Sequence, residues 1–248
     1  MNSKFRKSFM VKEEYKYHHI GLPTIISQKN EEYNEEWKFY GSGYFESKFG
    51  IEWLRIEKNS PLPPLIKTVP HIAFVVKDID KSILGQKVIY GPNNPAEGVT
   101  VCFIEVDGAP IEFLQFDRPE NKIWPNDNKL INPVNRIKNK KESVNFKYHH
   151  FGICTTSRNR DTVYLKDNKL CCSEHQVNPY GIQWIKYYAD CKLPTIVQKI
   201  SHIAFQVDNL KEAIKCRNVI VEPYSPSKSV WVAFIEENGA PIEFLQIS

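Results

Sequence analysis

The chain has no run approaching the ~18 consecutive apolar residues that a membrane-crossing helix needs. Its first twelve residues, basic at Lys4, Arg6, Lys7 and Lys12, lack the long apolar segment and small-residue cleavage site of a secretory leader. A cytoplasmic protein that does not engage a membrane is the expectation. A large charge excess is also missing: 33 Lys and Arg stand against 29 Asp and Glu. The mild basic surplus gathers at Arg136, Lys138, Lys140 and Lys141, a stretch that reads as solvated linker rather than a nucleic-acid surface. No Gly-rich phosphate loop occurs. The six cysteines (Cys102, Cys154, Cys171, Cys172, Cys191, Cys216) do not recur at an offset of 131 residues, the spacing that relates the two halves. This argues against a shared disulfide or zinc framework and for reduced structural thiols.

What the chain does have is repetition. Two short motifs are each written four times in its 248 residues. One reads His19-Ile20-Gly21, His71-Ile72-Ala73, His150-Phe151-Gly152 and His202-Ile203-Ala204. The other reads Ile51-Glu52-Trp53, Ile111-Glu112-Phe113, Ile182-Gln183-Trp184 and Ile242-Glu243-Phe244. An offset of 131 residues carries the first two copies of each onto the second two without a gap, and Gly50, Pro63, Val88, Pro92 and Gly108 have counterparts at the same offset. Duplication accounts for this. The expected domains span 13–117 and 144–248, with a polar linker over 118–143.

Within each half the chain starts over once more. The later unit reads βαβββ. A strand over His71 to Val76 (His202 to Val207) leads to an N-cap at Asp78 (Asn209) and a short helix; strands follow, the last two joined by Asp107-Gly108 (Asn238-Gly239). Those dipeptides predict type I′ hairpin turns between Val99 to Val106 and Ala109 to Phe116 and their counterparts. The earlier unit is degenerate: it keeps the opening His strand and the closing Ile-Glu-Trp or Ile-Gln-Trp strand. Its charged stretch Asn30 to Lys38 is a candidate helix, whereas Thr162-Val163-Tyr164 favours a strand.

Each Glu or Gln of the second motif lies mid-strand between Ile and an aromatic. Ile111 and Phe113 then share one face and Glu112 the other, where a carboxylate is costly to bury unless paired, hydrogen-bonded or metal-bound. A lone strand-initial histidine is most often structural, and a lone strand glutamate most often wet. Here six of seven histidines fall on the His-motif strands, and the match between the two units within one half gives the pattern its weight. Imidazole and carboxylate together suit zinc, nickel, cobalt, manganese or ferrous iron. In the tandem pairs His18-His19 and His149-His150, strand alternation turns only one side chain inward, and correspondence with His71 and His202 selects the second.

These residues resemble the vicinal oxygen chelate superfamily of glyoxalase I, methylmalonyl-CoA epimerase, extradiol dioxygenases and the fosfomycin- and bleomycin-resistance proteins. The contexts His-Ile-Ala-Phe and Gly-Ala-Pro-Ile-Glu-Phe-Leu-Gln carry the resemblance most strongly, and it covers about 105 residues of each half. It implies an α+β fold in which paired βαβββ modules form cup-shaped curved sheets, giving two tandem glyoxalase-like domains. It implies divalent metal sites at His19, Glu52, His71 and Glu112, and at His150, Gln183, His202 and Glu243, with Glu112 and Glu243 as candidate catalytic bases. The first set is similar to the ligands of bacterial glyoxalase I, the second to those of the epimerase. Four such ligands suit a Lewis acid that chelates a small vicinal-oxygen substrate and stabilises an enediolate, the chemistry of a lyase or isomerase. Two His and one Glu, should Glu52 and Gln183 fall short, match the facial triad of ferrous dioxygenases. Only 33 residues separate His19 from Glu52, against 41 between His71 and Glu112. A resistance-type binding protein without turnover is a third reading, against which the intact His and Glu set argues. With a divalent ion the first set sums to neutral and the second keeps one positive charge, so the halves are expected to differ in chemistry. The fused halves are expected to supply an internal pseudo-twofold pair, hence a monomer, and the partner is a small molecule.

Overall fold

The computed structural model describes residues 15–123, 144–157 and 162–248. Their packing divides them into two compact units, one holding residues 15–123 and the other 144–157 and 162–248. The basic residues at 136–141 and Trp124 lie outside the described residues. Among the described residues no helix is long and apolar enough to cross a membrane. All six cysteines are free thiols.

The first unit is one eight-stranded sheet. Its strands are β1 (Lys16–Pro23), β2 (Glu32–Asn34), β3 (Phe39–Ser42), β4 (Ile51–Ile56), β5 (His71–Val75), β6 (Lys87–Ala96), β7 (Val99–Val106) and β8 (Ala109–Phe116), with short helices α1 (Pro64–Thr68), α2 (Ile79–Ser82) and α3 (Glu120–Ile123). The strand order β2-β3-β4-β1-β5-β8-β7-β6 reads as two modules joined at their first strands. β1 and β5 pair antiparallel, and each runs parallel to the last strand of its own module, β4 and β8. The first and last strands of both modules therefore lie side by side at the centre of the sheet.

The second unit repeats this order with β9 (Phe146–Cys154), β10 (Thr162–Leu165), β11 (Leu170–Ser173), β12 (Ile182–Tyr187), β13 (His202–Val207), β14 (Asn218–Ser227), β15 (Val230–Glu237) and β16 (Ala240–Ile247). Its described helices include α4 (Thr195–Lys199) and α5 (Leu210–Ile214).

Local chemistry explains the regular modules. Asp107 and Gly108 both take positive φ (52° and 78°), as do Asn238 and Gly239 (52° and 73°), the pattern a type I′ turn demands. Strands β7 and β8 end at these turns as the sequence predicts. Asp78 and Asn209 cap α2 and α5, accepting from the backbone N–H of Lys81 and Glu212. The Gln that closes the Glu-Phe-Leu-Gln motif acts on the same helix starts. Gln115 Oε1 accepts from Ile79 N at 2.7 Å, and Gln246 Oε1 from Leu210 N at 2.8 Å. Each ties the last strand of its module to the start of the helix.

The expectation of a helix over Asn30 to Lys38 is not met: the segment forms β2 and a turn. Asn30 and Lys38 take φ of 59° and 51°, which no helix contains. Asn34 Oδ1 accepts from Trp37 N at 2.8 Å, and buried Trp37 joins a cluster with Leu62, Ile66, Val99, Val101, Phe103 and Leu114. Tertiary burial of the indole overrides the helical propensity of the glutamates. Thr162–Leu165 is the strand expected.

Candidate metal centre

Pairing across the four central strands sets two rows of residues on one face of the sheet. One row runs Glu52 (β4), Gly21 (β1), His71 (β5); the other runs His19 (β1), Ala73 (β5), Glu112 (β8). The second unit has Gln183, Gly152, His202 and His150, Ala204, Glu243 in the same registers. The small residue two places after each histidine thus sits between the functional side chains of its row. A Cβ at Gly21 would lie 2.0 Å from His71 Cε1, and one at Gly152 would lie 2.3 Å from His202 Cε1. The His-x-small motif is a floor for the imidazole of the neighbouring strand.

In the first unit the four residues converge. His19 Nε2 lies 3.1 Å from Glu112 Oε2, 3.5 Å from Glu52 Oε2 and 3.4 Å from His71 Nε2; His71 Nε2 lies 3.3 Å from Glu112 Oε2. In the second unit His150 and His202 place Nε2 3.3 and 3.2 Å from Glu243 Oε2. Gln183 has the register position of Glu52, opposite the glycine, and is half-buried.

Electrostatics in the first unit are strained without a cation. Burial pushes the Glu52 carboxyl up to about 8, and the Glu112 charge adds to the rise. Burial brings the His19 imidazole down to about 4, against the pull of Glu112. Burial alone would raise Glu112, yet His19 and His71 hydrogen-bond it and hold it below the usual carboxylate range; His150 and His202 do the same for Glu243. Among the described residues, Nδ1 of buried His71 and Nδ1 of buried His202 have no hydrogen-bond partner. Buried imidazole nitrogens and carboxylate oxygens converging in this way fit a divalent ion with mixed N/O ligation. His19, Glu52 and His71 form one such donor group and His150, His202 and Glu243 the other, with Glu112 against both histidines of the first.

Five nearby residues were not singled out as site residues. His18 is fully buried beside His19, with Nδ1 2.8 Å from His19 Nδ1; His149 and His150 repeat this at 2.9 Å. The expectation that one member of each pair faces away is corrected here. The pairing register shifts between Tyr17 and His19, and again opposite His149, and such a bulge lets two consecutive side chains lean to one side. The recurrence of His-His in both halves was the available signal. Tyr44 meets His19 edge-on at 5.1 Å. His175, 131 residues later, stacks on His150 at 5.2 Å and 26°. Glu120 of α3, inside the stretch expected as linker, places Oε1 3.2 Å from His18 Nε2.

The first centre opens onto a cavity of about 330 Å³. Trp37, Phe39, Leu54, Leu62, Val101 and Phe103 wall it, together with Tyr44 and the four converging residues, and among the described residues no lysine or arginine lines it. That volume is at the small end for ligand pockets.

No family model matches the chain, and no curated protein matches it. Among solved structures it is similar to a hypothetical protein from Staphylococcus aureus at 13% identity and a TM-score of 0.42, covering 94% of this chain and 99% of that one. It is similar to a mutant of 4-hydroxymandelate synthase from Streptomyces coelicolor at 10% identity and a TM-score of 0.42, covering 94% and 85%. A hypothetical protein from Bacillus halodurans C-125 aligns at 16% identity and a TM-score of 0.20, covering 72% and 92%. Likenesses this remote carry no argument about activity, and the fold rests on topology. With first and last strands of paired modules central in each eight-stranded sheet, the chain is a tandem duplication of paired modules, the topology that the resemblance to the vicinal oxygen chelate superfamily implies.

Proposed function

We propose that the chain is a metal-dependent enzyme whose first domain is a lyase or isomerase, acting on a small substrate with two adjacent oxygens. His19, Glu52, His71 and Glu112 would hold a divalent ion, which supplies Lewis acidity toward those oxygens. The observation that carries this reading is Glu52, whose carboxylate lies 3.5 Å from His19 Nε2 and so is within reach as a fourth ligand. Glu112 is pinned between two imidazoles, whereas Glu52 touches the cluster at one point and borders the cavity. Glu52 is therefore the better placed of the two to take a proton from a substrate carbon, with Glu112 anchoring the centre. Trp37, Phe103 and their neighbours exclude water and favour an apolar body, and the lack of a cationic lining disfavours phosphorylated or carboxylated substrates.

A second reading, oxygen-dependent chemistry, is favoured by the second domain. There two histidines and one carboxylate converge, with Gln183 in the place of Glu52. Protein loaded separately with zinc, nickel, cobalt, manganese or ferrous iron is incubated in D₂O with α-hydroxycarbonyl compounds, and in parallel with catechols in an oxygen electrode. Deuterium entering carbon, lost in Glu52→Gln, supports the first reading. Oxygen uptake with iron alone supports the second, and neither signal with any metal rejects both.

A further inference from the structure

The two centres also differ behind their first histidine. We propose that His18 and Glu120 form a buried positioning relay that fixes the tautomer of His19 and strengthens metal binding at the first centre relative to the second. The proposal rests on His19 being a metal ligand.

The argument is one of proton counting. His18 Nδ1 and His19 Nδ1 are 2.8 Å apart, so a single hydrogen lies between them. His19 turns Nε2 toward Glu52, Glu112 and His71, and a nitrogen that binds metal must be bare. The shared hydrogen then belongs to His19, which donates from Nδ1 to His18 Nδ1. With Nδ1 accepting, His18 carries its own hydrogen on Nε2, and that nitrogen faces Glu120 Oε1 at 3.2 Å. The Tyr44 hydroxyl lies 3.4 Å from the same nitrogen and shares it. Donation thus runs in one direction, His19 to His18 to Glu120, ending on a carboxylate. An outer carboxylate behind a histidine ligand fixes ring and tautomer and raises ligand basicity. Here one extra imidazole is inserted into that arrangement.

The second domain supplies an internal contrast. His149 and His150 make the same Nδ1 contact, but the ring of His149 meets His175 at 4.7 Å, and among the described residues no carboxylate hydrogen-bonds His149. Among the described residues, the first chain of donors ends on a negative charge and the second does not.

The test uses the full chain. In a His202→Ala background, which leaves the first centre intact, Zn²⁺ is titrated against a competing chelator with and without Glu120→Gln. The reciprocal His71→Ala background reads the second centre. The relay requires affinity at the first centre to fall by about 10- to 100-fold while the second is unchanged. His18→Asn, which keeps an acceptor near the position of Nδ1, should bind between wild type and His18→Ala. In zinc-loaded protein, ¹⁵N imidazole spectra should place the His18 hydrogen on Nε2, with Nδ1 accepting from His19, and show it moving toward Nδ1 in Glu120→Gln. Unchanged affinity in Glu120→Gln, equal weakening of both centres, or a His18 hydrogen on Nδ1 in zinc-loaded wild type would overturn the relay. A wild-type first centre that binds no zinc would instead refute the ligand reading on which the relay rests.

Discussion

Adding one methyl group at Gly21 should abolish metal binding at the first centre and leave the second intact. The Cβ of Gly21→Ala would stand 2.0 Å from His71 Cε1, 2.5 Å from Nε2 and 2.6 Å from Nδ1. Non-bonded carbons rest at about 3.5–4.0 Å, so the imidazole must retreat by roughly 1.5 Å. It has little room, being 2% exposed and packed edge-on against Phe103 at 5.3 Å. Ligand distances tolerate about ±0.2 Å, which makes that retreat incompatible with coordination. Gly21 sits in regular strand β1, so the harm comes from the contact with His71. Overpacking of this kind costs about 1–3 kcal/mol, and each kcal/mol lowers the Tm of a domain this size by about 4–8 °C. Equilibrium dialysis followed by elemental analysis reads stoichiometry, and calorimetry reads Tm. Gly152→Ala, with a 2.3 Å approach to His202 Cε1, should show the mirror image. Two metal ions per Gly21→Ala chain, bound as tightly as in wild type, would refute the idea that the small residue exists to seat the histidine.

Glu52→Gln gives the first centre the donor set of the second; it should keep its metal and lose carbon–hydrogen exchange, and retention of exchange would show that Glu52 is not the base. Ile111→Ala removes a fully buried side chain from β8 and should lower stability by about 2–5 kcal/mol, checked by urea unfolding. Glu31 pairs with Arg55 at 2.6 Å, and that contact holds its carboxyl down at about 2. A depressed carboxyl adds stability above its unfolded value near 4.5 that is lost as pH falls toward 2. The stability gap between wild type and Glu31→Gln should therefore be full at neutral pH and close over that acid range, and a gap independent of pH would argue against the ion pair.

Much of this architecture was legible because repetition marks residues that sit on special backbone. Asp107-Gly108 and Asn238-Gly239 announced their turns because few other dipeptides accept positive φ twice. The rows His19, Ala73, Glu112 and Glu52, Gly21, His71 were foreshadowed by the His-x-small motif, although its physical meaning needed the register. The bulge behind His18 was not legible: strand alternation is the default, and nothing local in Tyr17-His18-His19 advertises an extra residue. Asn30 to Lys38 misled because glutamates favour helix locally, while Trp37 is buried by residues far along the chain. Glu120 and His175 were invisible for the same reason. Their partners, His18 and His150, lie 102 and 25 residues away, and only folding brings them together.

The central claim is that duplication produced two metal centres, each organised by a histidine on the first strand of each module. Metal analysis of untagged protein after dialysis against a divalent ion tests it most directly. Two ions per chain are expected, falling to one in His71→Ala, one in His202→Ala and none in the double variant. Metal-replete wild-type protein with no bound ion, or two ions that survive both substitutions, would contradict the account.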